Sequence, residues 1–337
     1  MDKQGKTGAS HVDAFVDEAY LDVCAGAWAV TSELAQSVLE AFDPGAVDPA
    51  DEHRQRCVDW LRQAADYRML PGRPRSTSSP AEDLAPTIDL LQHTASSYPG
   101  FLGGTTSGQS ILLSGEGMRL WHGYFQSRNL LYEPLNAAAA ATVNDLLRER
   151  SGARVLEVGA GTGGATAHLL AEWPDDLSGA HDYTVTDTST SLMVGARRAL
   201  TEQAPSNVRL AFRRFDFDLA DDQGLTPGSF DVVLAVNALH NAVDLPSALR
   251  RLRSLLRPGG AIVLSESLCA VGDLVHQEII FNLLPLRADA CARGSRFYSE
   301  AAWRGHFEAA GMDTEIHVNT SGPELAMVAV AGAAGAP

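Results

Sequence analysis

The densest concentration of reactive residue types is Glu157-Val158-Gly159-Ala160-Gly161-Thr162-Gly163-Gly164. It follows an apolar run and opens a helix-forming one. Glycines at such a crossover permit a tight turn and let a ligand come up against the backbone. Gly159, Gly161 and Gly164 satisfy the G-x-G-x-x-G spacing of dinucleotide sites, whose helix N-terminus receives a pyrophosphate. Gly159, Gly161 and Gly163 satisfy a second frame, E-x-G-x-G-x-G, with an acid beside the turn. That acid suits a ligand carrying an ammonium group and no phosphate. Two further acids fit a nucleoside. Asp187 ends the next strand pattern, where both its oxygens can take ribose hydroxyls. Asp216 lies near the end of the third, where it can accept the exocyclic amine of a base, with Phe215 or Phe217 against the ring. Each has a plainer alternative. Asp187 could cap the helix near 190, and Asp216 and Asp218 could be solvated loop carboxylates beside Asp221 and Asp222. The three acids together fall at the carboxyl ends of successive strands, the edge where open α/β sheets bind ligands.

The elements that must position these groups can be read from periodicity. From residue 153 strands and helices alternate: strands at 153–159, 181–187, 207–217, 230–239 and 261–267, helices at 163–173, 191–203 and 245–257. Ser299 caps a helix over 299–312, and 313–319 and 324–332 form a terminal pair of strands. Such alternation predicts an α/β fold with a mostly parallel, Rossmann-like sheet and helices on both faces. Ahead of it, residues 19–42, 53–70 and 133–150 carry helical periodicity. Residues 71–86 read as a loop, and the glycine-rich 100–117 as a connector with a short strand. Residues 268–296 read as predominantly helical. The expected division is a mainly helical lid and substrate-binding region over 1–130 and a cofactor-binding domain over 131–337, with 268–298 an insert over the active site.

Composition narrows the function. The 337 residues are 45% hydrophobic and 20% charged, enough for a real core. The net charge of −16 argues against a nucleic acid or an anionic membrane as partner. No apolar run approaches the length of a membrane span, and the first residues lack the apolar core of a secretory signal, so a cytoplasmic protein is expected. Cys24, Cys57, Cys269 and Cys291 show no C-x-x-C or zinc spacing. His240, Asp244 and His276 come from separate loops with no ligand spacing, and no metal is expected.

VLEVGAGTGGATAHLL, YTVTDTS, the stretch FDFDLADDQGLTPGSFDVVLAVNALHNAVDLPSALRRLRSLLRPGGAIVLSES and FYSEAAWRGHFEAAGM together resemble class I S-adenosylmethionine (SAM)-dependent methyltransferases. Within these, the sequence is most similar to the C-methyltransferase domains of polyketide synthases and their free-standing relatives. E-x-G-x-G-x-G is the turn of that class. The resemblance covers about 130–312, and 19–130 only loosely. It implies a seven-stranded sheet, SAM as cofactor and methylation of an acidic carbon in secondary metabolism, such as the making of a polyketide antibiotic. It also implies a dyad: the family's histidine after strand four falls on His240, in Asn237-Ala238-Leu239-His240, and its glutamate after strand five on Glu266. There the glutamate orients the imidazole and the imidazole removes the substrate proton, a task suited to a neutral histidine. Glu157, Gly159, Gly161, Gly163, Asp187, Asp216, Phe217 and Asn237 are assigned to the cofactor, and Tyr132, His276 and Phe281 to the substrate. Phe281, Leu283, Leu284 and Leu286 could line an apolar pocket or simply pack.

Other readings remain open at this point. Small-molecule O-methyltransferases also carry a histidine after strand four and an acid near strand five. Beyond them stand an NAD(P)-dependent oxidoreductase and a SAM-binding cyclase that transfers no methyl. Asn241 follows the histidine where other members vary. The acceptor is either a free small molecule or an acyl chain on a carrier protein. Carriers are acidic, so docking needs a local basic patch; Arg287, Arg293 and Arg296 could form one, but read more simply as solvated surface arginines. A homodimer is a further expectation.

Overall fold

The computed structural model describes residues 9–68, 84–126, 132–148, 150–174, 177–220, 223–270, 273–285 and 294–333. They form two units. One unit draws on 1–17, 132–268 and 297–337 and contains the sheet; the other draws on 18–131 and 269–296 and is helical. The division expected at 130/131 is therefore not the observed one at two places. Helix α1 (Ala9–Phe15) groups with the sheet unit, where His11 Nε2 meets Asp145 Oδ2 at 2.8 Å and Asp13 Oδ1 accepts from Thr320 N at 2.8 Å. Residues 269–296 group with the helices.

The helical unit is built on α2 (Glu18–Ala41), α3 (Glu52–Asp66), α4 (Ala85–Leu102), α5 (Gly108–Leu112) and α6 (Gly115–Gln126). Asp51 caps α3 by accepting from Arg54 N at 3.0 Å. The connector with a short strand expected over 100–117 is instead the end of α4 followed by α5 and α6. Its glycines serve close packing as well as turning. A Cβ on Gly108 would lie 1.8 Å from the Leu283 carbonyl oxygen, and one on Gly117 would lie 2.3 Å from that of Ile111. Composition alone cannot tell a glycine that turns the chain from one that lets two segments touch.

Among the described residues, the predominantly helical 268–296 expected from the sequence is not found. Among its described residues only Glu278–Phe281 is α-helical. A buried acid holds the segment in place of a helical ladder. Glu278 Oε2 accepts from Trp60 Nε1 and from Val275 N, both at 3.2 Å, and Oε1 accepts from Ser295 Oγ at 2.6 Å and Arg296 N at 3.2 Å. Burial pushes this carboxyl up from its ordinary pKa, and the hydrogen bonds partly offset that.

In the sheet unit α7 (Glu133–Arg148) precedes β1 (Arg154–Val158), α8 (Gly164–Ala171), β2 (His181–Asp187), α9 (Thr190–Gln203), β3 (Val208–Arg214) and β4 (Phe230–Val236). Then come α10 (Leu245–Leu255) and β5 (Leu256–Ser267); the short helix Glu278–Phe281, α11, belongs to the other unit. The chain closes with α12 (Glu300–Ala309), β6 (Met312–Val318) and β7 (Ala326–Ala333). Strand order is β3-β2-β1-β4-β5-β7-β6. The first five strands are parallel and β7 runs antiparallel to both neighbours. The seven-stranded, mostly parallel sheet is thus as expected. The central strands are buried on both faces, as their unbroken apolar runs require. Leu156, Val158, Val233, Ala235, Ile262 and Leu264 share one core with the apolar stripe of α10 and with Trp303 and Phe307 of α12. Asp244 caps α10, accepting from Ser247 N at 3.1 Å, and Ser299 caps α12 in the predicted way, accepting from Ala302 N at 3.3 Å.

Helix α10 ends two residues earlier than predicted. Leu256–Gly260, including Pro258-Gly259-Gly260, is already strand, with Gly259 at φ +75°. The third and fourth strands also stop short of the predicted 217 and 239, at Arg214 and Val236, so Asp216 and Asn237 sit in the loops just beyond the sheet edge.

Candidate functional site

The turn after β1 places Gly159, Gly161 and Gly163 at φ +69°, +57° and +85°. All three lie in the left-handed region that side chains other than glycine rarely adopt. These are the glycines of the E-x-G-x-G-x-G frame. Gly164, which completes the other frame, is absent from the positive-φ residues and begins α8. A Cβ on Gly159 would also lie 2.5 Å from Ala238 Cβ. The turn is anchored by Ala160 N donating to Thr186 O at 3.0 Å and by Gly163 N donating to Ala160 O at 2.8 Å.

Asp187, at the end of β2, is only 9% exposed. Its Oδ2 accepts from Gly161 N at 2.8 Å and its Oδ1 from Ser189 N at 2.7 Å. It does not cap α9, whose N-cap is Ser189. Each carboxylate oxygen keeps a lone pair, so the pair can take two neighbouring hydroxyls of a ribose. If Asp187 holds the ribose as the resemblance implies, Asp187→Ala is expected to weaken SAM affinity about 100-fold, because two charge-assisted hydrogen bonds would go and two backbone donors lose their acceptor. Titration calorimetry with SAM reads this directly, and an unchanged Kd removes Asp187 from the cofactor site.

Asp216 is half-buried and tied into its loop. Its N donates to Gln223 Oε1 at 2.9 Å, Gln223 Nε2 donates to its carbonyl at 2.7 Å, and its Oδ1 accepts from Asp218 N at 3.0 Å. Gln223, itself at φ +48°, is a positioning residue that no sequence signal singled out. Of the two candidate aromatics, Phe215 is in the core and Phe217 is partly buried against it. Asn237 stands at φ +46° just past β4, with its Oδ1 accepting from Ser267 N at 2.8 Å. Its Nδ2 is buried without a hydrogen-bond partner among the described residues.

Glu157, expected beside the ligand's ammonium group, is tied to its neighbours in the sheet unit. It is 2% exposed, and Oε2 accepts from Tyr183 OH at 2.5 Å and from Thr166 Oγ1. Burial raises its carboxyl pKa, and the two hydroxyls pull it back. These bonds brace α8 against β2.

His240 lies on a single 3₁₀ turn, Leu239–Asn241, between β4 and α10, and is 6% exposed. Glu266, near the end of β5, is fully buried. His240 Nδ1 is 2.7 Å from Glu266 Oε2. The other oxygen, Oε1, accepts from Leu239 N at 2.8 Å, Ala238 N at 3.1 Å and His240 N at 3.4 Å. One carboxylate therefore builds the turn and orients the ring upon it. A carboxylate only accepts, so the neutral imidazole carries its proton on Nδ1 and presents a lone pair at Nε2. That lone pair meets Asn241 Nδ2 at 3.0 Å, and the ring packs against Phe297 with centroids 4.8 Å apart. Sequence reasoning named His240 and Glu266 and noted Asn241 only as the residue after the histidine; Phe297 it did not single out.

The remaining candidates are placed as follows. Tyr132 is half-buried ahead of α7, and its carbonyl accepts from Asn136 N at 3.0 Å. His276 and Phe281 belong to the helical unit. His276 is buried edge-on to Trp28, centroids 6.0 Å apart, and burial pushes its pKa down to about 3. Phe281 packs on Trp121 beneath the Arg296 guanidinium, which also donates to the Phe281 carbonyl at 2.7 Å. Arg287 and Arg293 of the expected basic patch, together with Leu286, Asp221, Asp222 and Cys291, lie outside the described residues. Among the described residues no group of three or more His, Cys, Asp or Glu is placed to hold a metal ion, and no helix is long and apolar enough to cross a membrane.

Residues 156–262 match the family model described as "Methyltransferase domain". The reducing polyketide synthase Preu2 of Preussia isomera is 31% identical over 263 residues, 73% of this chain. The chain spans 11% of the length of that relative. Among solved structures, the CurJ carbon methyltransferase aligns with a TM-score of 0.74 at 20% identity, covering 97% of this chain and 96% of its own. The trans-methyltransferase CalH, in complex with S-adenosylhomocysteine (SAH), aligns with a TM-score of 0.67 at 22% identity, covering 95% and 93%. The two structural likenesses concern the fold, and they extend over both units.

Proposed function

Because the chain carries a methyltransferase domain with the SAM-dependent fold, we propose that it methylates the acidic carbon of an enolisable, polyketide-like keto substrate, with His240 as general base and Glu266 holding it. The observation that carries the reading is the buried 2.7 Å contact between Nδ1 and Oε2, which leaves Nε2 as the accepting nitrogen.

SAM is the cofactor of this fold, and it supplies a methyl group on a sulfonium, already a strong electrophile. The residues present fit it: three left-handed glycines open the backbone, Asp187 keeps two free lone pairs, and the buried Nδ2 of Asn237 has no acceptor among the described residues. The chain's main chemical task is then to make a nucleophile and aim it. Nε2 takes the proton from carbon, and the resulting Nδ1–H and Nε2–H imidazolium is stabilised by the Glu266 carboxylate. The proton then leaves to water.

The polyketide synthase relative supports an acyl thioester as the substrate class. Incubation with methyl-labelled SAM and a 3-oxoacyl thioester tests the reaction. Label that stays on carbon through acid treatment is the expected product. Label released by acid, as from an enol ether, would show methylation on oxygen.

A further inference from the structure

The geometry points to Asn241 as the hydrogen-bond donor that stabilises the enolate oxygen formed when His240 removes the substrate proton. The inference rests on the reading of His240 as base, and it adds the second group that enolisation needs.

Removing a proton from carbon beside a carbonyl sends the C–H electron pair toward the carbonyl oxygen. A fixed donor at that oxygen lowers the barrier, because it acts where charge develops. Asn241 is placed for this. Its Nδ2 lies 3.0 Å from His240 Nε2, the atom that takes the proton. The carbonyl oxygen of the substrate is two bonds from the carbon that loses it, so one substrate reaches both groups. Asn241 is exposed, while His240 and Glu266 are buried. The donor is therefore able to turn while the base stays fixed.

The order of events follows from donor and acceptor chemistry. With Nδ1 protonated toward Glu266, Nε2 is an acceptor, and the Asn241 amide satisfies it by donating an N–H. Substrate displaces that donor. When Nε2 takes the proton it becomes a donor itself, and the amide N–H can no longer return to it. The nearest new acceptor is the enolate oxygen, which has just gained the electron pair. The hydrogen bond thus strengthens in the transition state relative to the ground state, the condition for raising kcat. The enolate carbon then forms its bond to the methyl group, the carbon–sulfur bond breaks with its pair on sulfur, and the carbonyl is restored.

Solvent deuterium exchange isolates this step from methyl transfer. The full chain with SAH is given the N-acetylcysteamine thioester of 3-oxobutanoate in D2O. Deuterium entering C2 above the uncatalysed rate is read by mass spectrometry. The wild type is expected to accelerate exchange and His240→Ala to abolish the acceleration. Asn241→Ala and Asn241→Asp are expected to lose it by a factor on the order of 100, the usual effect of removing one such donor. The aspartate keeps the shape but exchanges the donor for acceptors. A residue that merely steadied the imidazolium would work at least as well as aspartate, so exchange by Asn241→Asp within threefold of wild type overturns the proposal and leaves the base reading standing. Exchange that survives His240→Ala, or a wild type that does not exceed background, overturns the base reading and this proposal with it.

Discussion

His240→Ala is expected to lower methyl transfer by about 100- to 10,000-fold, the range that a positioned general base contributes, with SAM binding within about twofold of wild type. The two halves of that expectation have separate physical sources. His240 meets Glu266, Asn241 and Phe297, all around the 3₁₀ turn beyond β4. The glycine turn and Asp187 are held by their own backbone bonds, to Thr186, Gly161 and Ser189, and none of these involves the imidazole. Truncating the ring therefore removes the base without loosening the residues assigned to the nucleoside. Single-turnover rates with the 3-oxoacyl thioester, paired with calorimetric SAM binding, test both halves. A rate within threefold of wild type ends the case for His240 as base.

Glu266 gives the second large effect, and two substitutions divide its two duties. Glu266→Ala removes the acceptor of the backbone N–H groups of Ala238, Leu239 and His240 at a fully buried position. Buried donors left without an acceptor cost about 1–3 kcal/mol apiece, so the alanine variant is expected to show a clearly lowered Tm as well as lost turnover. Glu266→Gln keeps one oxygen to cap the turn, and the fold is expected to hold. Its amide now offers a donor where Nδ1 formerly donated. The imidazole answers by moving its proton to Nε2, and the lone pair lands on the wrong nitrogen. Turnover in the glutamine variant is expected to fall by roughly 1,000-fold or more at nearly unchanged Tm. Thermal denaturation and single-turnover kinetics on both variants read this pattern. Near-normal turnover by Glu266→Gln would mean the carboxylate acts only as a structural cap.

Much of the fold and some of the site were legible in order of residues. Strand β2 fell on 181–187 as predicted, and helices α9, α10 and α12 came within a few residues, because each has a clear period and most begin at a polar cap. Pro258-Gly259-Gly260 misled the reading at the end of α10, since glycine and proline mark a turn in isolation but are tolerated inside the long β5. Glycines 100–117 misled it again: Gly108 lies against the distant Leu283 and Gly117 against the backbone of Ile111 and Leu112, and close approach of either kind is not written in composition. At the site, Glu157 was visible as an acid beside glycines, but its bonds to Thr166 and Tyr183 depend on the pairing of β1 with β2 and on where α8 lands. Gln223 was invisible for the same reason.

Linear order determined the alternation of strands and helices, the glycine turn, and the three acids at successive strand ends, because period, capping and turn chemistry act over a few residues. It also marked His240 and Glu266, through likeness to a family. Only the tertiary structure decided that one Glu266 oxygen caps the turn while the other holds the imidazole, that Asn241 Nδ2 meets Nε2, and that Trp60, Val275, Ser295 and Arg296 gather on the buried Glu278. Those outcomes depend on which distant atoms share a buried volume, and a hydrogen bond across 26 residues has no period to betray it.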